Sequence, residues 1–98
     1  MKIEINQGSR LQLDFPVTVN KEPVTEVQSA TFSLLLDDQE VHSINASFIS
    51  STASVIIDGA LDLTAPSYRF ELWLVSAQGH SIFVRGGDLQ VKPTKAGI

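Results

Sequence analysis

Apolar and polar residues alternate along most of this chain. Leu11, Leu13, Phe15, Val17 and Val19 hold the odd positions, against Gln12, Asp14, Pro16, Thr18 and Asn20. That is the period of a strand with one buried face. Pro16 has no N–H to give a ladder, which places this strand along a sheet edge. Lys2–Asn6 alternates too and predicts a first strand, closed by Gln7-Gly8-Ser9. Ala30, Phe32, Leu34 and Leu36 repeat the pattern before a polar turn at Asp37-Asp38-Gln39-Glu40. From Val41 to Ile49 the phase changes. Ile44, Ala46 and Phe48 share a face that Val41 does not, so a bulge or bend is expected near His42-Ser43. Ala53–Ile57 reads as a short strand stopped by Asp58-Gly59.

The strongest signal is residues 66–93. Tyr68, Phe70, Leu72 and Leu74 face one way; Arg69, Glu71, Trp73 and Val75 face the other. Pairing Ser76 with His80 leaves Ala77-Gln78-Gly79 as a three-residue loop, with Gly79 where positive φ is needed. In that register Leu74 meets Ile82 and Leu72 meets Val84 on the apolar face. Trp73 meets Phe83 and Glu71 meets Arg85 on the other. Gly86-Gly87 is expected to interrupt the pairing and let the chain bend before Leu89 and Val91. The connection Leu61–Pro66 is irregular, with room for at most one helical turn.

Turns every 8–12 residues without an amphipathic helix predict an all-β fold. The expected architecture is an antiparallel β-sandwich of Ig-like shape with seven to eight short strands and little or no helix; a partly closed barrel is the alternative. The Cys…Trp…Cys signature of true immunoglobulin domains is absent. One domain is expected over 1–93, with 94–98 as a short tail.

Composition narrows the function classes. At 98 residues and 43 % hydrophobic, the chain can bury a core unaided. Net charge of −4 and no Lys/Arg run exclude a nucleic-acid footprint. The charged N-terminus is unlike a signal peptide, and the apolar runs are too short to cross a bilayer. The expectation is synthesis in a host cytoplasm without a signal peptide, and no membrane partner. There is no cysteine, hence neither disulfides nor thiolate metal sites.

Catalytic equipment is not visible, and the chain is read as a non-enzyme without cofactor or metal. His42 and His80 lie at a bend and a hairpin tip, without a second ligand at suitable spacing. Asp37, Asp38 and Glu40 lack the twelve-residue calcium-loop pattern. No serine lies in a G-x-S-x-G elbow, and Arg85-Gly86-Gly87-Asp88 has one glycine too many for an adhesion tripeptide. What remains is the odd face of the hairpin. Trp73 and Phe83, rimmed by Glu71 and Arg85, are the candidate partner-binding residues. The other reading buries Trp73 beneath a loop or the N-terminal segment.

The order of signals resembles the small β-sandwich proteins and domains of tailed bacteriophage virions, such as the N-terminal domains of baseplate and tail proteins. The resemblance rests on Gly8-Ser9-Arg10 before Leu11-Gln12-Leu13-Asp14-Phe15, on Asn20-Lys21-Glu22-Pro23-Val24 before Ala30-Thr31-Phe32-Ser33-Leu34, and on the end of the chain. There Leu63-Thr64 is followed by Tyr68-Arg69-Phe70-Glu71-Leu72, Gly79 and Gly87-Asp88-Leu89-Gln90-Val91-Lys92-Pro93. Ser67 departs from it, since such sequences often carry glycine before the tyrosine. The resemblance implies a structural virion subunit that docks on the tail or baseplate or decorates the capsid. Its partners would be other virion proteins, with homo-oligomers in the assembly as an option. A carbohydrate-binding or adhesion-type module is the alternative.

Overall fold

The alternating segments become strands in the computed structural model, which describes residues 2–19, 21–24, 26–58 and 63–92. In chain order they are β1 (Lys2–Asn6), β2 (Leu11–Pro16), β3 (Thr18–Val19), β4 (Glu22–Pro23), β5 (Val27–Leu36), β6 (Gln39–Asn45), β7 (Ser47–Ile49), β8 (Thr52–Ile57), β9 (Ser67–Ser76) and β10 (Ser81–Lys92). One sheet has five strands in the order β1-β10-β9-β5-β6, the other three in the order β2-β8-β7, and β3 pairs only with β4. Among the described residues every pairing is antiparallel except β1 with β10. The all-β sandwich is therefore as expected, and among the described residues no helix forms. Pro16 lies on β2, an edge strand, as its missing N–H requires.

The core is made by the apolar half of each alternation. Ala30, Phe32 and Leu34 from β5 and Tyr68, Phe70, Leu72 and Leu74 from β9 meet Phe15, Ala53, Val55 and Ile57 from the smaller sheet, all buried. Phe15 joins the two layers, 6.3 Å from both Phe32 and Phe70, which stack on each other at 5.3 Å. The Tyr68 hydroxyl accepts the Ala65 N–H at 3.1 Å, tying the chain before β9 to the core ring that follows it. Residues 63–66 form no helical turn. Asn20, Gly59, Leu61, Asp62 and the expected tail at 94–98 lie outside the described residues.

Three details differ from the sequence reading. The polar turn after β5 is shorter than expected: Asp37 and Asp38, at φ 53° and 63°, form a two-residue loop between paired Leu36 and Gln39. Positive φ at both central residues matches the right-handed twist of a tight hairpin, and it frees Gln39 and Glu40 for β6. The phase change after it is the bulge expected near His42-Ser43: it falls at Val41, where the pairing steps from Leu35–Glu40 to Leu34–His42. The run 41–49 then crosses between sheets, with β6 on β5 and β7 on β8.

The third difference lies in the β9–β10 hairpin. Its loop is the expected one: Ser76 N–H donates to His80 O at 2.8 Å, and Gly79 has φ 87°. Leu74–Ile82 and Trp73–Phe83 also pair as read. A bulge at Val84 then shifts the ladder, so that Arg85 lies opposite Leu72 and Gly86 opposite Glu71. The expected pairs Leu72–Val84 and Glu71–Arg85 are corrected accordingly. The cause is parity. Ile82 faces inward from an even position, whereas the buried Leu89 and Val91 are odd, so an odd insertion is required between them. Gly86-Gly87 does not interrupt β10, which pairs through both glycines to Gln90.

Candidate functional site

β9 is the middle strand of the five-stranded sheet, so its outward residues stand at the centre of an open face. Trp73 is 38 % exposed and Phe83 48 %, and no described segment covers them. Of the two readings of Trp73, the outward one holds. The rings meet edge to face, 5.3 Å apart at 67°, a geometry worth about 0.5–1.5 kcal/mol beyond area burial. On the other flank β5 sets Ser29, Thr31 and Ser33 opposite Val75, Trp73 and Glu71. These small hydroxyl side chains leave the aromatic pair as a ridge.

Polar contacts fix that ridge. Trp73 Nε1–H donates to Glu71 Oε1 at 3.1 Å, and Arg69 Nε lies 3.6 Å from Glu71 Oε2. Arg69, Glu71 and Trp73 thus form a line along alternate positions of β9. The three-residue loop sets Phe83 opposite Trp73, just ahead of the bulge at Val84, and Gly86 leaves the room its ring needs. Of the four candidate residues, the structure brings Trp73, Phe83 and Glu71 together. Arg85 is exposed but lies a register step from Glu71. Arg69 was missed by the sequence reading; its place two residues before Glu71 on the same face was the available signal.

The other candidates are dispersed. His42 is on bulged β6 with its ring edge-on to Tyr68, 6.1 Å away, and His80 closes the β9–β10 loop. Glu40 accepts the Ser33 hydroxyl at 2.6 Å. Among the described residues no three His, Cys, Asp or Glu gather into a possible metal site. An open groove of about 550 Å³ between Val27, Gln28, Ala46, Phe48 and Ala77 has Glu26 as its one charged lining residue among the described residues.

No family model and no curated protein matches the chain. Among solved structures, the crystal structure of CopC from Methylosinus trichosporium OB3b is similar, with a TM-score of 0.58 and 17 % identity over 96 % of this chain and 86 % of that one. At that identity the likeness is one of fold. It corrects the functional expectation of a tailed-phage virion subunit: the fold extends over nearly the whole of a protein that is not a virion domain. Alternating strands, a polar turn and a Tyr-led strand are requirements of sandwich packing, shared by sandwiches of unrelated function. The virion subunit and its carbohydrate-binding or adhesion-type alternative are both set aside.

Proposed function

We propose that this chain is a non-enzymatic protein-binding module whose docking face is the outer surface of the five-stranded sheet at Trp73, Phe83, Glu71 and Arg69. The observation that carries this reading is the T-shaped Trp73–Phe83 pair, exposed yet held by Glu71 and accommodated by a bulge and a glycine. A ridge already locked in one geometry loses little side-chain entropy when a partner covers it. Tryptophan and arginine are also the residue types that most often carry binding energy, and an adjacent carboxylate sets orientation. The partner is a folded protein that presents an apolar cleft to the ridge.

Site-directed photocrosslinking in the source cells tests this. A photoreactive residue at Thr31, beside Trp73, is compared with one at Ser54 on the opposite sheet. The expected result is a discrete crosslinked protein from Thr31 alone, whose purified form binds the wild-type chain at least tenfold more tightly than folded Trp73→Ala. Equal products from both positions, or undiminished binding by Trp73→Ala, would overturn the reading.

A further inference from the structure

Among the described residues the two sheets of the sandwich have four edges, and three carry recognisable protection against further pairing. β7 is three residues long, β6 is bulged at Val41, and β1 presents Lys2 and Glu4, with Lys92 of β10 2.9 Å from Glu4. β2 differs: six residues, unbulged, with Pro16 only at its end.

The direction of its backbone groups follows from one hydrogen bond. Val17 N–H donates to Ser51 O at 2.9 Å. Residues 17 and 51 continue the register Pro16–Thr52, Phe15–Ala53, so the odd residues of β2 bond to β8. The N–H and C=O groups of Gln12 and Asp14, and the C=O of Pro16, therefore point away from β8, toward an edge that no described strand occupies. Beneath that edge Leu11 and Leu13 are only half-buried, against the fully packed Phe15.

We infer that β2 pairs antiparallel with β2 of a second copy across a two-fold axis at Gln12, joining the two three-stranded sheets into one of six. Of the two-fold registers that bring the outward groups together, centring on Leu11 sets Asp14 against Gly8, which at φ 83° lies in a turn outside β1 and β2; three others are centred on residues 12–14. Centring on Asp14 opposes two carboxylates and sets Gln12 against Pro16, which has no N–H. Centring on Leu13 sets Arg10 against Pro16 with the same loss. Centring on Gln12 uses the outward donors of Gln12 and Asp14, extends the ladder to Arg10 and avoids Pro16. In that register Arg10 lies opposite Asp14 of the second copy, twice, and Leu11 opposite Leu13, twice. Both charged residues are exposed, and opposite charges directly across an antiparallel pair are mutually stabilising. The arrangement consumes both copies' open edges, so it closes as a dimer and does not propagate.

Sedimentation equilibrium of the whole chain tests this. The expected result is a reversible dimer that weakens as NaCl is raised. Arg10→Glu and Asp14→Arg should each raise the dimer Kd about tenfold or more, and the charge-swapped double variant should recover most of that loss. Gln12→Pro, which removes an outward N–H and one exposed hydrogen bond from the Gln12 amide to Asp14, should give a folded monomer, and Gln12→Ala, which loses the same side-chain bond but keeps the N–H, should still dimerise. Trp73→Ala should leave the dimer unchanged, which separates this edge from the proposed docking face. A chain monomeric up to about 1 mM, a double variant no better than the singles, or a dimer lost with Trp73→Ala and kept with Gln12→Pro would overturn the inference.

Discussion

Phe83 occupies the space that a side chain at position 86 needs: a Cβ on Gly86 would come within 2.9 Å of Phe83 Cζ and 3.3 Å of the Phe70 carbonyl oxygen. The ring belongs to a half-exposed residue and can swing away, whereas the carbonyl cannot. Gly86→Ala should therefore cost about 1 kcal/mol, at the low end for overpacking. Its larger effect is on the ridge, because Phe83 must leave its T-contact with Trp73. Near-UV circular dichroism should show the Trp73 bands weakened. In a Phe83→Ala background the same substitution should change those bands little.

Leu72 is fully buried on β9 between the two flanking strands of the larger sheet. Leu72→Ala leaves a cavity there and should lower stability by about 2–5 kcal/mol. Urea unfolding measures this directly, and an unmoved midpoint would contradict the assignment of the inward face.

Trp73 should behave differently, since 38 % of it is exposed and its indole N–H is bonded at the surface. Trp73→Ala should cost roughly 1–2 kcal/mol, well short of the 3–5 typical of a core aromatic. A loss in the core range would show that the ridge serves the fold before any partner.

The contrast between Leu72 and Trp73 was legible in the sequence because a strand's period is two: naming one face names the other. The loop at Ala77-Gln78-Gly79 was legible for a similar local reason, as Gly79 marks a positive φ. The bulge at Val84 is a matter of parity across β10. Its sign is present in even Ile82 against odd Leu89 and Val91, but Gly86-Gly87 offered a nearer explanation and drew the reading to itself. The crossing of residues 41–49 between sheets leaves no such trace, because alternation says which residues face inward and not which sheet receives them. Function was least legible of all, since the signals that resembled a virion domain are those any sandwich needs.

Two of the tight hairpins place non-glycine residues at positive φ in both loop positions: Asp37 and Asp38, and Ser50 and Ser51 at 52° and 60°. Serine is the less suited, since its hydroxyl supplies only weakly the local hydrogen bonding that lets Asp and Asn tolerate this region. Replacing Ser50-Ser51 with Asn-Gly should relieve the backbone cost and raise stability by about 1 kcal/mol, since left-handed residues cost of that order. A rise of several degrees in melting temperature is the expected readout. The Asp37-Asp38 hairpin should gain less from the same exchange.

Acid should loosen the fold through two exposed carboxylates. Asp14 is held below its ordinary value of 3.8 by hydrogen bonds from the Ser54 hydroxyl and then the Gln12 amide. Glu4 is held below 4.5 by the hydrogen bond and charge of Lys92, with Lys2 adding to both. A carboxylate whose folded pKa is depressed binds fewer protons folded than unfolded, so its contribution is complete above the unfolded value and disappears as pH falls through the folded one. The window therefore begins near pH 4.5 for Glu4 and 3.8 for Asp14 and extends downward. Glu4 joins β1 to β10, the one parallel pairing, and Asp14 joins β2 to β8. Glu4→Gln and Asp14→Asn should each lower stability at pH 7 slightly and flatten its decline below pH 4.5. Both variants together should flatten it by the sum, since they lie on different sheets. Urea midpoints from pH 7 to pH 2.5, taken at micromolar protein so that association through the β2 edge does not contribute, measure the slope. An acid limb as steep in the double variant as in the wild type would assign the loss to other carboxylates.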